Sequence, residues 1–288
     1  MWNEFVRWIT KRDGLNRLLA INIVLFTLVQ VVLIFQRLSE SSVVPSDLYL
    51  AAGAGLDGFL SRPWSWLTHM FVHVDVGHFI FNVFCLYTAG KLFRHFLGDG
   101  KLVVNYMLGG IFGYFVYLTM AVLFPKLTDA TYILGASASI MSIIFTIGIL
   151  QPNYQIKLFG VFDMKLIWLC GIIILVDLIS LRKGFDSGGH VAHVGGALFG
   201  VIYAYQYKRG VVMGCWLENF FNRIGSLFSG NKKSYNEHHR RPKSDEQFNA
   251  EKKKRQQRVD QILDKISKSG YDSLSKEEKD FLFKYSQK

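Results

Sequence analysis

The fold class predicted here is an all-α polytopic membrane protein with six transmembrane helices and a small helical cytosolic tail, and three observations carry it. Half of the 288 residues are hydrophobic. They gather in long apolar blocks up to about residue 207, after which the chain turns polar and basic. Lys and Arg concentrate in the connections that would share one side of a bilayer, as the positive-inside bias requires. The formal net charge of +11 follows from that bias and from the basic tail, so it does not call for nucleic acid as a partner. Cys85, Cys170 and Cys215 show no CxxC spacing, which excludes a disulfide framework or a zinc knuckle.

Residues 1–17 form an N-terminal interfacial segment, with Trp2, Phe5, Trp8 and Ile9 interleaved with Arg7, Lys11 and Arg12. The membrane domain covers 18–207. Leu18–Phe35 is a first span of the length a bilayer demands, interrupted only by Asn22, Thr27 and Gln30. No small-x-small cleavage site follows it, so it is expected to be an uncleaved helix rather than a signal peptide. Residues 39–77 contain many aromatics and a single Lys or Arg, Arg62, so this connection is expected outside, folded into the interface as short helices. Further spans are expected at about His78–Phe96, Leu102–Phe124, Ser137–Leu150, Met164–Leu181 and Val191–Tyr207. Six spans put both termini on the same, cytoplasmic side, and a bacterial inner membrane is the expected location. Arg182-Lys183 is the one basic pair on the outer side.

Residues 208–258 read as an interfacial helix (Val211–Phe228) and a basic linker suited to anionic lipid. Residues 259–288 read as a small helical hairpin. Val259, Ile262, Leu263 and Ile266 mark one helix, Gly270 ends it, and Ser275-Lys276-Glu277-Glu278 is a capping box ahead of Phe281-Leu282. No feature of this tail names its partner.

The chemistry centres on Leu134-Gly135-Ala136-Ser137-Ala138-Ser139. Fourteen residues from Ser137 to Leu150 make about 21 Å of helix, short of a roughly 30 Å hydrocarbon core. Ser137 is thus expected below the outer surface, at a helix N-terminus whose N–H groups favour an oxyanion. Ser139 and Ser142 point elsewhere and are expected to pack. A serine nucleophile needs a base. The sixth span supplies His193 beside a small-residue ladder, Ala192, Gly196, Gly200 and Ala204, and the fourth has a shorter one, Ala138, Ser142 and Thr146. If these faces meet, His193 comes level with Ser137, and His190 lies one turn further out in a wetter place. His78 and Asn82 share a face of the second span and could donate to an oxyanion. His69, His73 and His78 are close in sequence but lack an HExxH-type acidic partner, so no metal is expected there.

This pattern resembles the rhomboid family of intramembrane serine proteases. The likeness rests on Gly135-Ala136-Ser137, on Ala192-His193 with Gly196 and Gly200, and on His78-x-x-x-Asn82 after His73. It covers roughly residues 15 to 207 and implies a six-helix rhomboid-like bundle. It also implies a Ser137–His193 dyad without a third acid, an oxyanion hole from the Ser137 N–H, His78 and Asn82, no cofactor, and transmembrane segments of membrane proteins as substrates. Ala138 stands where the family has a second glycine, Met141 where some members have a tyrosine, and Trp64-Ser65 lacks the usual arginine. Asp177 is an intramembrane acid open to two readings, a third catalytic member or a hydrogen-bonded structural aspartate. The alternative function is a catalytically inactive rhomboid-like protein that binds or escorts membrane clients. A transporter fits poorly, with few ionisable residues in the spans and no inverted repeat.

Overall fold

The computed structural model describes residues 13–39, 49–125, 132–158, 161–183, 187–220, 257, 259–270, 273–275 and 277–279. The interfacial segment before Asp13, the loop 126–131, the linker 221–256 and Phe281-Leu282 lie outside the described residues. The chain divides into two compact units, Met1–Phe228 and Ser229–Lys288.

The first unit is helical with two small β ladders. In order it contains α1 (Gly14–Leu38), β1 (Ala52–Gly53), α2 (Gly55–Ser61), α3 (Ser65–Thr68), a 3-10 turn (His69–Phe71) and α4 (Val76–Leu97). Then come α5 (Asp99–Leu123), β2 (Tyr132–Ile133), α6 (Ser137–Leu150), β3 (Gln155–Leu158), β4 (Phe162–Lys165), α7 (Leu166–Lys183) and α8 (Ser187–Lys208). By length and composition α1, α4 and α5 can each cross a membrane, and α6 is a shorter apolar helix.

Caps fix where the helices start. Asp13 caps α1 by accepting the Asn16 N–H at 3.4 Å, and its other oxygen holds Arg94 near the end of α4 at 2.7 Å. That cap begins the helix a turn earlier than the apolar run alone suggests. Asp75 caps α4 by accepting the His78 N–H at 2.7 Å.

Both ladders depart from an all-α expectation. β1 pairs antiparallel with β2, Ala52 opposite Ile133 and Gly53 opposite Tyr132. Two-residue strands carry no readable alternation, and their pairing is long-range. β3 and β4 form a hairpin with Gln155 opposite Lys165 and Leu158 opposite Phe162. Gln-Ile-Lys-Leu and Phe-Asp-Met-Lys alternate with period two.

α6 is the centre of the unit: none of its fourteen residues is exposed. It packs on α8, α5, α4 and α7. The ladders meet as their small residues require. A Cβ added at Gly196 would fall on the main chain of Ala138, and one at Gly200 on the carbonyl of Ser142. On α5, Gly109 faces Ser142 and Gly110 faces Ser139, while a Cβ at Gly113 would lie 2.9 Å from the Ala138 Cβ. Backbones approach this closely only over glycine and alanine. A buried hydrogen-bond chain locks the same junction. Ser142 donates to Asn105 Oδ1 at 2.9 Å, Asn105 donates to Thr146 Oγ1 at 3.0 Å, and Thr146 donates to the Gly200 carbonyl at 3.2 Å. Large apolar side chains are exposed on the outer helices, among them Leu28, Ile80, Phe84, Ile172 and Leu175. That surface suits hydrocarbon rather than water.

In the second unit, residues 259–269 are helical and Gly270 ends them at φ +76. Ser275 Oγ accepts the Glu278 N–H at 3.3 Å while Glu278 Oε2 accepts the Ser275 N–H at 2.7 Å. The capping box therefore forms reciprocally.

Candidate active site

The site begins with the segment that precedes α4. Tyr106 on α5, fully buried, donates to the Met70 carbonyl at 2.7 Å, and Asn22 on α1 reaches the same hydroxyl at 3.3 Å. Gln30 on α1 donates to the Val74 carbonyl at 2.8 Å. Two of the polar residues in the first span thus hold residues 70–74 in place. Trp64 and Thr68 are held in turn by the carbonyls of Tyr49 and Leu50, each at 2.8 Å. These bonds anchor the loop without the arginine that the Trp64-Ser65 pair lacks.

This segment shapes the entry to α6. The Gly135 N–H donates to the His69 carbonyl at 2.9 Å, and the Ala136 N–H donates to His73 Nε2 at 3.2 Å. Gly135 has φ +116, and a Cβ there would stand 2.8 Å from His78 Cε1. Only glycine meets both demands. Because His73 Nε2 accepts, the ring proton belongs on Nδ1. Burial, aided by His78 nearby, holds the His73 pKa down to about 4 and keeps the ring neutral. Burial lowers His69 to about 4 as well, and its Nδ1–H donates to the Ser65 carbonyl at 3.0 Å. The two histidines act as backbone clamps.

Ser137, partly buried, is the first residue of α6. Its neighbour Ala138 has ordinary helical geometry, and its methyl is received by Gly113. The bare Cα of Gly113 thus makes room for the methyl that replaces the family's second glycine. Met141 packs with Phe145, Cys170 and Ala197. Asn82 is buried and donates one N–H to the His78 carbonyl at 3.1 Å, so one of its two side-chain donors is spent on its own helix. His78 lies against Gly135. The two therefore differ in setting, with His78 beside the α6 entry and Asn82 partly committed to α4.

His193 sits in the second turn of α8. Its Nδ1 is 3.0 Å from Asp177 Oδ1, and His190 Nδ1 is 2.6 Å from the same oxygen. The carboxylate accepts from both rings, which cross nearly perpendicular at 5.6 Å. His190 is not the wetter of the two: their side chains are 21% and 22% exposed. The helix starts at Ser187, a turn earlier than the apolar run implies, and this brings both histidines over α7. Ala192, the residue before His193, and Ala138, the residue after Ser137, converge on Gly113: a Cβ there would lie 2.8 Å from the Ala192 carbonyl oxygen and 2.9 Å from the Ala138 Cβ.

Two sets of contacts are not legible in the sequence. Asp177 meets both His193 and His190, and Asn105 on α5 bonds Ser142 and Thr146 of α6, the latter reaching Gly200 of α8. A polar residue inside an apolar helix is the signal that could have found both, though it does not name their partners. Among the described residues the one group of three metal-capable side chains is Asp177, His190 and His193. His69 and His73 are engaged with the backbone instead.

A family model described as Rhomboid domain matches residues 60–210. A second, described as a family of unknown function (DUF6576), matches residues 243–288. The chain is 30% identical over 135 residues to Presenilin-associated rhomboid-like protein A, mitochondrial, of Danio rerio, covering 46% of this chain and 34% of that protein. It is 24% identical over 221 residues to RHOMBOID-like protein 12, mitochondrial, of Arabidopsis thaliana, covering 73% and 62%. It is 29% identical over 149 residues to Rhomboid protease GlpG of Yersinia enterocolitica, covering 51% and 49%. The chain thus spans less than two thirds of the length of each of these relatives.

Proposed function

The chain belongs to the rhomboid family, and from that premise we propose that it is an intramembrane serine endopeptidase that cleaves transmembrane segments of membrane proteins. The observation that carries this reading is the convergence of Ala138 and Ala192 on Gly113, since each adjoins one of the two residues the chemistry needs. In this reading α1, α4, α5, α6, α7 and α8 are six spans, both termini are cytoplasmic, and the bilayer is a bacterial inner membrane. The 14-residue length of α6 sets Ser137 below the outer surface.

Ser137 Oγ attacks the scissile carbonyl and gives its proton to His193 Nε2. Asp177 accepts from Nδ1–H, which fixes the tautomer with Nε2 unprotonated and stabilises the imidazolium that forms. Asp177 is therefore a positioning residue added to the Ser137–His193 pair. The tetrahedral oxyanion is held by the Ser137 N–H at the positive end of α6, by His78 and by the second Asn82 N–H. His193 then protonates the leaving amine, and water, deprotonated by the same ring, releases the acyl group. The substrate helix must fray before its carbonyl can reach Ser137, so helix-weakening residues near the cut should favour cleavage.

The test uses the full chain in liposomes with a model transmembrane substrate and a fluorophosphonate probe. Ser137→Ala and His193→Ala should each abolish cleavage, and labelling should depend on Ser137. Intact chain that is never labelled and never cleaves would favour the client-binding alternative.

A further inference from the structure

His190 has no task in that mechanism, yet it takes the shorter of the two bonds to Asp177. Asp177 is only 4% exposed, and its Oδ2 has no hydrogen-bond partner among the described residues. A buried carboxylate oxygen left without a donor is costly. Two imidazole nitrogens stand against the other oxygen of the same carboxylate, Oδ1, and the cluster's three donor atoms all lie within 4.8 Å of one another. The N···O separations of 2.6 and 3.0 Å are hydrogen-bond distances, and a small outward shift of each ring opens them to the roughly 3.3–3.6 Å edges of a tetrahedral shell with metal–ligand bonds of about 2.0–2.2 Å.

We infer that Asp177, His190 and His193 form a binding site for a divalent transition metal, zinc being the best match, and that its occupancy reversibly blocks the catalytic base. Two imidazoles and a carboxylate form a three-ligand set of the kind zinc accepts, with the fourth position left to water. Both histidines are about one-fifth exposed, so the cluster is open to the protein surface. His190 and His193 are three apart on α8, which puts them on one helical face, and Asp177 comes from α7.

The braking effect follows from proton placement. In the metal-free site each ring carries its single proton on Nδ1 and gives it to Asp177. A metal takes the Nδ1 lone pair of each ring, and the displaced proton moves through solvent to Nε2. Each ring stays neutral and no net proton is lost. His193 Nε2 then bears hydrogen and has no lone pair to accept the proton of Ser137. The binding part of this inference stands on geometry alone, and the braking part rests on the serine-protease reading.

Two measurements test the parts separately. Full-length Ser137→Ala protein in detergent is titrated with cobalt(II), a coloured stand-in for zinc. One cobalt per chain should bind with visible absorption of a low-coordinate site, and zinc should displace it. His190→Ala in that background should lose the signal, as should His190→Gln, which keeps a donor to Asp177 but is a poor zinc ligand. Absence of the signal, or its persistence in both variants, overturns the site. In the second measurement, micromolar zinc should inhibit wild-type cleavage and a chelator should restore it. His190→Ala should cleave normally without zinc and resist it by more than about tenfold, the cost known for losing even an outer-shell partner. Equal inhibition of wild type and His190→Ala overturns the brake. A wild type that never cleaves defeats the protease reading and leaves the cobalt result standing.

Discussion

At the scale of single residues the site depends on placements that a small change would undo. Gly135 combines a left-handed φ with contact against His78. Gly135→Ala should destabilise the protein by about 1–3 kcal/mol and, on the proposed mechanism, lower cleavage further, because the strain lies two residues from Ser137. Thermal unfolding in detergent and a cleavage assay check the two effects. Asp177→Asn keeps an oxygen near His193 but weakens its hold on the imidazolium. It should reduce kcat by about 10²–10⁴, the range assigned to general acid–base help, with KM little changed. A parallel rise in KM would point to a merely structural role. Ser137 and His193 could be proposed from the sequence because each stands beside small residues in a helical repeat, and His78 and Asn82 because they lie four apart. The partners of Asp177 could not be read, since they lie 13 and 16 residues further along the chain, on another helix. Which ring an acid meets there depends on how α7 is rotated.

Among the elements, the junction of α5, α6 and α8 decides whether the site exists. Gly196→Ala places a methyl on the Ala138 main chain. It should cost about 1–3 kcal/mol, the usual price of overpacking, and remove activity even where the protein still folds. Asn105→Leu strips the shared partner from Ser142 and Thr146 and should cost about 1–3 kcal/mol through unsatisfied groups. Ser139→Ala should change unfolding much less, as its hydroxyl bonds, among the described residues, to the weakly accepting Met70 sulfur at 3.9 Å. If the Asn105 and Ser139 variants unfold together, the hydrogen-bond chain is not what holds the junction. The ladders and the start of α6 were readable from the spacing of small residues and from the polar loop before Ser137. The ladder β1–β2 was not. Pairing Ala52 with Ile133 brings together residues far apart in the chain, and two-residue strands leave no periodic trace.

For the whole molecule, His69 and His73 tie stability to pH. Both are buried outside the spans, with pKa values lowered from 6.5 to about 4. Between those values the unfolded chain binds protons that the folded one refuses, so folding is favoured less as pH falls. Stability should be complete above pH 6.5 and decline from there to about pH 4, by on the order of a few kcal/mol in all. His73→Gln, which retains an acceptor for the Ala136 N–H, should flatten part of that slope in thermal scans across the range. An unchanged slope would assign the effect to other groups. The wrapped position of α6 also bears on how the chain is made. Its flanks are covered by α5 and α8, and its 14 residues fall short of what a bilayer retains unaided. On the six-span reading proposed above, α6 should wait during biosynthesis, weakly anchored, until α8 emerges and closes over Ala138 and Ser142. Chains ended at Lys183 should leave the translocation machinery slowly and be degraded, whereas chains that include Lys208 should be stable; pulse-chase labelling distinguishes the two.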